Sequence, residues 1–508
     1  MQALGPAWLR GDPSAASLLE APPFPDAMVQ PSVRAPGQAC REVLAALNPD
    51  AELAMDAAVV TGQQLGLFGG PCFTLYKAWT AVAWARALSK KWGIRVRAVF
   101  WLQTEDHDFA EVAWCGQPGG GRVELSDRSD HCRVSVSERL VPEEISERLR
   151  SYADSLGPCP HGEEVLAQLE RCWRPGLSWT QAYCDILRWA FAAEDLLLFD
   201  PRHPTAAAAV APLHEQALFG ARELETALAR RAELIAGAGF RVQVPVRPET
   251  LSFVHLDGFD GGRQRLAWLE SGMAQAPDGR TVSPAVLRRW LSEDPRRFTS
   301  SALLRPILQD RLLPTVAYVA GPGEAAYWAQ LEPLYRAFGV LMPRVVPRAR
   351  ARLLEPWARR LLNRWALSPA DVEVGEAALL DRMGAGQLGA PAAQVASGLA
   401  EVRSAVRARL QKQSEKLDVS GPMGALDRKL ARSFERFVKK YETLRRRSDT
   451  DAYEAARRLQ GSLAPGRGPQ ERFVGFVGYF ARYGRDHVMS CLKSHWSPGE
   501  VQTVDVEL

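Results

Sequence analysis

The sequence has few of the features that mark a membrane-bound or secreted protein. Its 508 residues include no run of 18 apolar residues, so no transmembrane helix is expected. Residues 1–34 show no basic start followed by an apolar core, so they do not predict a signal peptide. The eight cysteines form no CxxC pair, which indicates neither a zinc site nor a disulfide framework and favours a cytoplasmic location. The net charge of +4 is small, so neither nucleic acid nor a membrane surface is expected as a partner.

Several well-known catalytic and nucleotide-binding motifs are also missing. GxxxxGK[ST] is absent, which excludes a P-loop, and no GxSxG nucleophile elbow occurs. A GxGxxG pattern at 384–389 follows a helix-like segment instead of a strand, so we interpret it as a flexible link. No HxH or HExxH spacing is present, and we therefore predict no tightly bound metal.

Residues 57–102 predict a β-α-β unit. The apolar run 57–61 reads as a buried strand, 74–91 has helical spacing that stops at Gly93, and 97–102 is a second buried strand. Parallel strands need such a crossover, which is almost always right-handed. Further strands are predicted at 196–199, 242–246 and 316–319, with helices at 180–194 and 212–237. The pattern indicates an α/β sheet with helices on both faces.

The C-terminal part has a different, heptad-like pattern. One apolar stripe runs from Val395 to Leu410, Gly421-Pro422 interrupts it, and a second stripe runs from Leu426 to Leu444. Two amphipathic helices around a Gly-Pro turn predict an antiparallel helical hairpin. Its apolar face favours a partner, so a homodimer through this coiled coil is expected.

A glycine-rich turn with two glutamines follows the first predicted strand. We interpret that strand as ending at Thr61, with a helix starting beyond Pro71. Backbone N–H groups at such a helix N-terminus can hold an anion or a polar substrate, and glycine allows close approach. A plain strand–helix turn is the alternative. The candidate binding residues are Thr61, Gly62, Gln63, Gln64, Gly69, Gly70, Pro71 and Lys77.

An acidic loop follows the second predicted strand. Glu105, Asp106, His107 and Asp108 stand just past its end, at the edge where ligands bind in open α/β sheets. Carboxylates packed this closely can titrate abnormally or bind a cation, and a histidine can exchange protons near neutral pH. A surface loop with helix-capping aspartates is the alternative interpretation.

A third cluster surrounds the strand at 316–319. A glycine turn and a helix follow that strand. Arg305, which precedes the strand, can bind a phosphate or carboxylate through two parallel guanidinium hydrogen bonds, or it can pair with Asp310. A tight turn with ordinary packing is the alternative. We expect the loops at 61–71, 103–111 and 321–324 to meet at one mouth of the sheet. The candidate residues here are Arg305, Gly321, Gly323, Glu324 and Tyr327.

Three segments resemble the bacillithiol-biosynthesis cysteine ligase family, BshC. They are TGQQLGLFGGPCFTLYKA, FWLQTEDHDFAEV and LLRPILQDRLLPTVAYVAGPGEAAYWAQL, and the later segment PGRGPQERFVGFVGYFARYG extends the resemblance to roughly residues 55–490. Cys72 departs from the family pattern. The resemblance implies a Rossmann-like core with a parallel sheet over residues 1–390, with an insertion at about 112–180. This core is followed by a coiled-coil hairpin at 391–460 and by a C-terminal segment at 461–508 that returns to the core.

The resemblance also implies a function. Such enzymes add cysteine through its carboxyl group to the amine of glucosaminyl-malate, the last step of bacillithiol synthesis. ATP is expected as the activating nucleotide, with Mg²⁺, and an adenylate and an acyl phosphate both stay open. His107 or a neighbouring carboxylate (Glu105, Asp106, Asp108) is the candidate general base. Two alternatives stay open: a metal-dependent hydrolase using residues 105–108, and a non-enzymatic coiled-coil scaffold. The motif positions that carry over beyond the candidates above are Tyr76, Glu111, Gln309, Asp310 and Pro322.

Overall fold

The chain forms two compact units in a computed structural model. The structure describes residues 1–19, 25–32, 34–126, 134–246, 252–259, 262–384, 392–413 and 420–508. The first unit comprises Met1–Arg352, Glu471–Val506 and Leu508, and the second comprises Leu353–Gln470 and Glu507. Among the helices in these ranges, none has the combination of length and apolar character that crossing a bilayer requires.

A parallel five-stranded sheet forms the centre of the first unit. Its strands are β1 (Ala57–Gln63), β2 (Val96–Leu102), β3 (Leu196–Phe199), β4 (Thr315–Ala320) and β5 (Arg344–Pro347). They follow the order β3-β2-β1-β4-β5 in the sheet, and every neighbouring pair is parallel. Nearly all residues of β1 and β4 are buried, as helices on both faces require. The chain builds outward from β1 to β3 and then returns to the other side of β1, which creates a switch point between β1 and β4.

The helix that connects β1 to β2 confirms the predicted β-α-β unit. This helix, α1 (Cys72–Trp92), ends at Gly93, whose φ of 67° lies in the left-handed region that suits glycine. Lys90 and Lys91 lie in its last turn, where cations complement the helix dipole. The first unit also contains helices Leu4–Leu9, Pro13–Leu19, Gln38–Leu47, Phe109–Val112, Ile145–Leu156, Gly162–Cys172, Trp179–Ala190, Pro204–Phe219, Ala221–Gly237, Pro284–Glu293, Arg305–Leu312, Pro322–Trp328, Glu332–Phe338, Phe476–Tyr483 and Arg485–His495.

Two predictions about the region before β4 are wrong. The single helix predicted at 212–237 is two helices that meet at Gly220. The predicted strand at 242–246 is absent; only Phe240–Arg241 pairs, with Gln2–Ala3. Pro245 cannot donate to a sheet, and the Gln330 side chain satisfies both backbone groups of Val244. Within the insertion expected at about 112–180, Ile145–Leu156 and Gly162–Cys172 form regular helices.

A small antiparallel sheet precedes β4, and nothing in the sequence pattern predicted it. Its strands are Val254–Phe259, Gly262–Arg265 and Phe298–Ser300, with Val254–Phe259 in the middle. The shorter strands elsewhere are Trp114–Gly116 with Arg122–Glu124, the trio Ala267–Trp268, Ala274–Gln275 and Thr281–Val282, and Arg350–Leu354 with Thr503–Glu507.

The second unit is helical and contains the predicted hairpin. Its two long helices pack together, with Arg403 and Asp427 3.3 Å apart. The second long helix begins at Ser420, so Gly421-Pro422 lies in its first turn, where proline is tolerated, and not in the connection. The GxGxxG pattern lies almost wholly outside the described residues. The helices are Pro356–Arg364, Glu376–Arg382, Ala392–Gln413, Ser420–Arg447 and Thr450–Leu463.

Candidate active site

A cavity of about 630 Å³ opens at the carboxyl edge of the parallel sheet, around the switch point. Residues that follow β1, β2, β4 and β5 all line it, as expected for an open α/β sheet. The three polar clusters of the sequence therefore do meet at one mouth. The predicted residues in the lining are Gln63, Gln64, Lys77, Glu105, Asp106, His107, Asp108, Arg305, Gly321, Gly323, Glu324 and Tyr327.

The remaining candidates of the first cluster lie outside the cavity lining. Strand β1 continues to Gln63 instead of ending at Thr61, so Thr61 and Gly62 are sheet residues. The Thr61 hydroxyl donates to the carbonyl of Val319 in β4, at 3.2 Å. These two residues hold the neighbouring strands together beneath the site.

The glycine turn supports the fold instead of forming an open anion cradle. Gly69 has a φ of 91°, and a Cβ built there would lie 2.5 Å from the ring of Phe476. At the start of α1, next to Gly70 and Pro71, the backbone N–H of Cys72 donates to the carbonyl of Val474 at 2.7 Å. The Val474 carbonyl therefore occupies the first N–H of this helix, and Phe73 beside it borders the cavity. Glycine is required here because the segment around Phe476 packs directly against the turn.

An ion pair joins the first and third clusters across the switch point. Lys77 lies on α1, and its Nζ is 2.5 Å from Oε2 of Glu324. Nζ also donates to the carbonyl of Gly62 at 2.8 Å, and Glu324 accepts from the Tyr318 hydroxyl at 2.9 Å. Burial lowers the pKa of Lys77, and the Glu324 charge opposes that shift. Burial alone would raise the pKa of Glu324, but Lys77 and its hydrogen bonds hold that pKa below its usual value.

Removing one partner of this pair is expected to destabilise the fold strongly. In Lys77→Met the largely buried Glu324 carboxylate, 18% exposed, loses its cation, and breaking a buried pair in this way costs about 3–5 kcal/mol. The double variant Lys77→Met/Glu324→Gln is expected to lose clearly less, because no charge is left alone. Urea denaturation followed by circular dichroism measures both, with the exposed Lys90→Met of the same helix as control. Equal losses in the single and double variants would contradict the proposed coupling.

Arg305 is a buried cation with uncharged partners. It is 7% exposed, and its guanidinium donates to the Tyr327 hydroxyl at 2.9 Å, the Tyr318 hydroxyl at 3.4 Å and the Gln309 side-chain oxygen at 3.0 Å. The alternative pairing with Asp310 does not form, because that carboxylate accepts instead from Gln309 and Tyr335. Among the described residues, no carboxylate forms an ion pair with Arg305. The charges of Glu324 and Asp310 act on Arg305 without such a pair, so its guanidinium can still bind an anion in the cavity.

Glu105 is a half-buried carboxylate of the acidic loop. Its Oε2 accepts from the backbone N–H of Ser300 at 3.1 Å and from the Ser300 hydroxyl at 2.6 Å. Burial raises the pKa of Glu105, while Ser300 and the charge of Arg263 partly oppose the rise. A carboxylate whose pKa moves toward neutrality is suited to proton transfer.

His107 lies between two aspartates. Its Nδ1 is 3.8 Å from Asp106, and its Nε2 is 3.6 Å from Asp108. Nδ1 also lies 3.2 Å from Nη1 of Arg263. A guanidinium can only donate, so Nδ1 acts as the acceptor in that contact and the ring proton belongs on Nε2. The three side chains Asp106, His107 and Asp108 offer ligand atoms within 4.8 Å of one another.

Two further parts of the lining were missed by the sequence analysis. Arg348 follows β5 directly and is paired with buried Glu471, with Nη1 2.8 Å from Oε2. The rule that placed the other clusters at strand ends would have found it. His255, Arg263 and Arg265 come from the antiparallel sheet, which no sequence pattern indicated.

Comparisons with known proteins agree on one family. Residues 39–349 match the family model described as "Bacillithiol biosynthesis BshC, N-terminal Rossmann-like domain", and residues 351–504 match "Bacillithiol biosynthesis BshC, C-terminal coiled-coil domain". These matches agree with the predicted fold class: a parallel-sheet core and a coiled coil.

Curated relatives cover most of the chain. A protein of Heliobacterium modesticaldum named "Putative cysteine ligase BshC" is 34% identical over 466 residues, which is 86% of this chain and 81% of the relative. A relative of the same name from Solibacter usitatus is 33% identical and covers 84% of this chain and 80% of its own length. Another from Symbiobacterium thermophilum is 30% identical and covers 85% of this chain and 80% of its own length. Neither the hydrolase nor the scaffold alternative finds support in these names. With both of its units matched and relatives aligned over four fifths of their length, the chain belongs to the BshC family of bacillithiol biosynthesis.

Proposed function

We propose that this chain is a ligase that joins the carboxyl group of cysteine to the amine of glucosaminyl-malate and so completes bacillithiol. The names of its relatives support a cysteine ligase acting on small molecules. One structural observation supports this cavity as the site of the reaction. Arg305 is buried at the switch point of a Rossmann-like sheet, and its hydrogen bonds there are with uncharged oxygen atoms. Such a cation is suited to hold a negatively charged substrate out of water.

The cavity has the properties that a nucleotide-dependent ligase needs. A free carboxylate does not form an amide at neutral pH without activation, and ATP with Mg²⁺ would supply that activation when bound. The cavity volume of about 630 Å³ is large enough for small polar substrates. We assign phosphate binding to Arg305, with the Lys77–Glu324 pair fixing the adjacent end of β1 through Gly62.

We assign proton removal from the acceptor amine to Glu105. It lines the cavity, its Oε2 is held by Ser300, and burial raises its pKa. His107 is less suited to this role, because Arg263 contacts the one ring nitrogen that can accept a proton. Its Nε2–H can instead donate a hydrogen bond on the side of Asp108.

The direct test is to incubate the purified chain with cysteine, glucosaminyl-malate, ATP and Mg²⁺. We expect mass spectrometry to detect the thiol product, and the release of AMP or ADP distinguishes an adenylate from an acyl phosphate. Reactions without ATP are the control. Absence of the amide product in the complete mixture would overturn the proposed function.

We also propose that the hairpin forms a homodimer with a second copy of this chain. Apolar residues on its two long helices remain exposed, among them Val402 at 55% and Phe437 at 52%. A helix pair with uncovered apolar side chains favours burial against an identical pair. The cytoplasmic location remains a prediction.

Charged substitutions on this apolar surface are expected to give a monomer. The double variant Val402→Glu/Phe437→Glu places two carboxylates where apolar side chains meet in a dimer, and light scattering measures the mass. Ser404→Glu, exposed on the same helix, is the matched control. Deleting 393–456 is a poorer test, because it cuts helix Thr450–Leu463, which belongs to the core of the second unit. A dimer that persists in the double variant would contradict the proposal.

A further inference from the structure

One face of the antiparallel sheet presents three basic side chains to the cavity. His255 is directly opposite Arg265 in the strand register, so their side chains share a face. Arg263 precedes Arg265 by two residues on the same strand and therefore also points to that face. All three line the cavity, whereas Leu256, on the opposite face, is part of the hydrophobic core. We call His255, Arg263 and Arg265 the basic face.

The basic face is held in place by hydrogen bonds within its own sheet. Arg263 is 8% exposed, and it donates to the Thr299 hydroxyl at 2.9 Å and to the Ser300 carbonyl at 2.6 Å. Arg265 donates to Nε2 of His255 at 2.9 Å. Fixed guanidinium groups lose little conformational freedom when a ligand binds.

The acidic loop contacts this face, because Nη1 of Arg263 lies 4.0 Å from Oδ1 of Asp106. Glu105 accepts hydrogen bonds from Ser300 of the antiparallel sheet, while Asp106 accepts one from Gln64, which follows β1, at 2.7 Å. The loop thus touches both walls of the cavity. Arg305 lies on the wall of the parallel sheet, and the basic face lies on the other.

We propose that the basic face binds the malate carboxylates of the acceptor, so that the antiparallel sheet is the element that recognises the acceptor. This proposal rests on the ligase function proposed above. Malate brings two carboxylates, and two guanidinium forks with an imidazole match that charge and planar geometry. With malate on this face and phosphate at Arg305, the acceptor amine lies at the acidic loop, within reach of Glu105.

The test is the effect of Arg265→Gln on each substrate separately. Losing a charge-assisted contact to a carboxylate is expected to raise the KM for glucosaminyl-malate by about ten- to a hundredfold. The KM values for cysteine and ATP are expected to stay within about twofold, because only the malate carboxylates are assigned to this face. Arg265→Lys keeps the charge but lacks the bidentate guanidinium, so its KM for glucosaminyl-malate is expected to lie between those of the wild type and Arg265→Gln. Arg265 is the residue tested, because Arg263 also contacts His107 and Ser300.

Arg289→Gln is the matched control. This arginine is exposed on helix Pro284–Glu293, lies 3.9 Å from Glu293, and is not in the lining. We expect it to leave all three KM values unchanged. An unchanged KM for glucosaminyl-malate in Arg265→Gln, or an equal rise for all three substrates, would overturn the proposal. A wild-type enzyme that makes no amide would instead overturn the ligase function itself.

Discussion

Replacing Arg305 with methionine is expected to lower the rate of amide formation by about a hundredfold or more, without unfolding the protein. Removing one fixed donor from a developing negative charge costs about that much in other enzymes. Methionine fills similar space, and the partners left behind are the uncharged Tyr327, Tyr318 and Gln309 side chains. Glu324 keeps its direct ion pair with Lys77 in this variant, in contrast to Lys77→Met, which removes that pair.

Three measurements make this prediction specific. The KM for ATP is expected to rise together with the fall in kcat, and Arg305→Lys is expected to recover part of the rate, because lysine keeps the charge but lacks the fork. Arg311→Met, exposed on the same helix, is the control and is expected to retain wild-type activity. Circular dichroism checks the fold. Activity of Arg305→Met within about threefold of wild type would remove this residue from the proposed phosphate site.

The sequence predicted the parts of the site that follow from one general rule. Carboxyl ends of parallel strands meet at one edge, so residues just past β1, β2 and β4 had to lie near one another. Gln64, Glu105 and Glu324 illustrate this, and Arg348 after β5 obeys the same rule although it was not singled out.

The parts that the sequence did not predict depend on contacts between distant segments. The glycine turn has the same local pattern whether a ligand or another chain segment approaches it, and here Phe476 and Val474 occupy that place. The basic face requires pairing of Phe298–Ser300 with Val254–Phe259, and strands this short carry no clear periodicity. Local sequence fixes neither contact.

The second large effect is expected at Glu105. Glu105→Gln removes the proposed base and keeps its shape, so we expect kcat to fall by about a hundredfold or more, the usual contribution of general base catalysis. His107→Ala is expected to cost only about tenfold, because Nδ1 of that ring already contacts Arg263 and a hydrogen-bond donor alone is lost. Product formation followed by mass spectrometry measures both. Equal losses in the two variants would contradict the assignment of the base.

The dependence of the rate on pH provides a separate test of the same group. The base must be ionised, so kcat/KM is expected to fall as the pH drops through the raised pKa of Glu105, above the usual glutamate value of about 4.3. Ser300→Ala removes a hydrogen bond to the ionised carboxylate, which raises that pKa further and moves the acidic limb to higher pH. In Glu105→Gln the acidic limb of the dependence of kcat/KM on pH is expected to disappear. A limb that stays in place in Ser300→Ala would show that the titrating group is not Glu105.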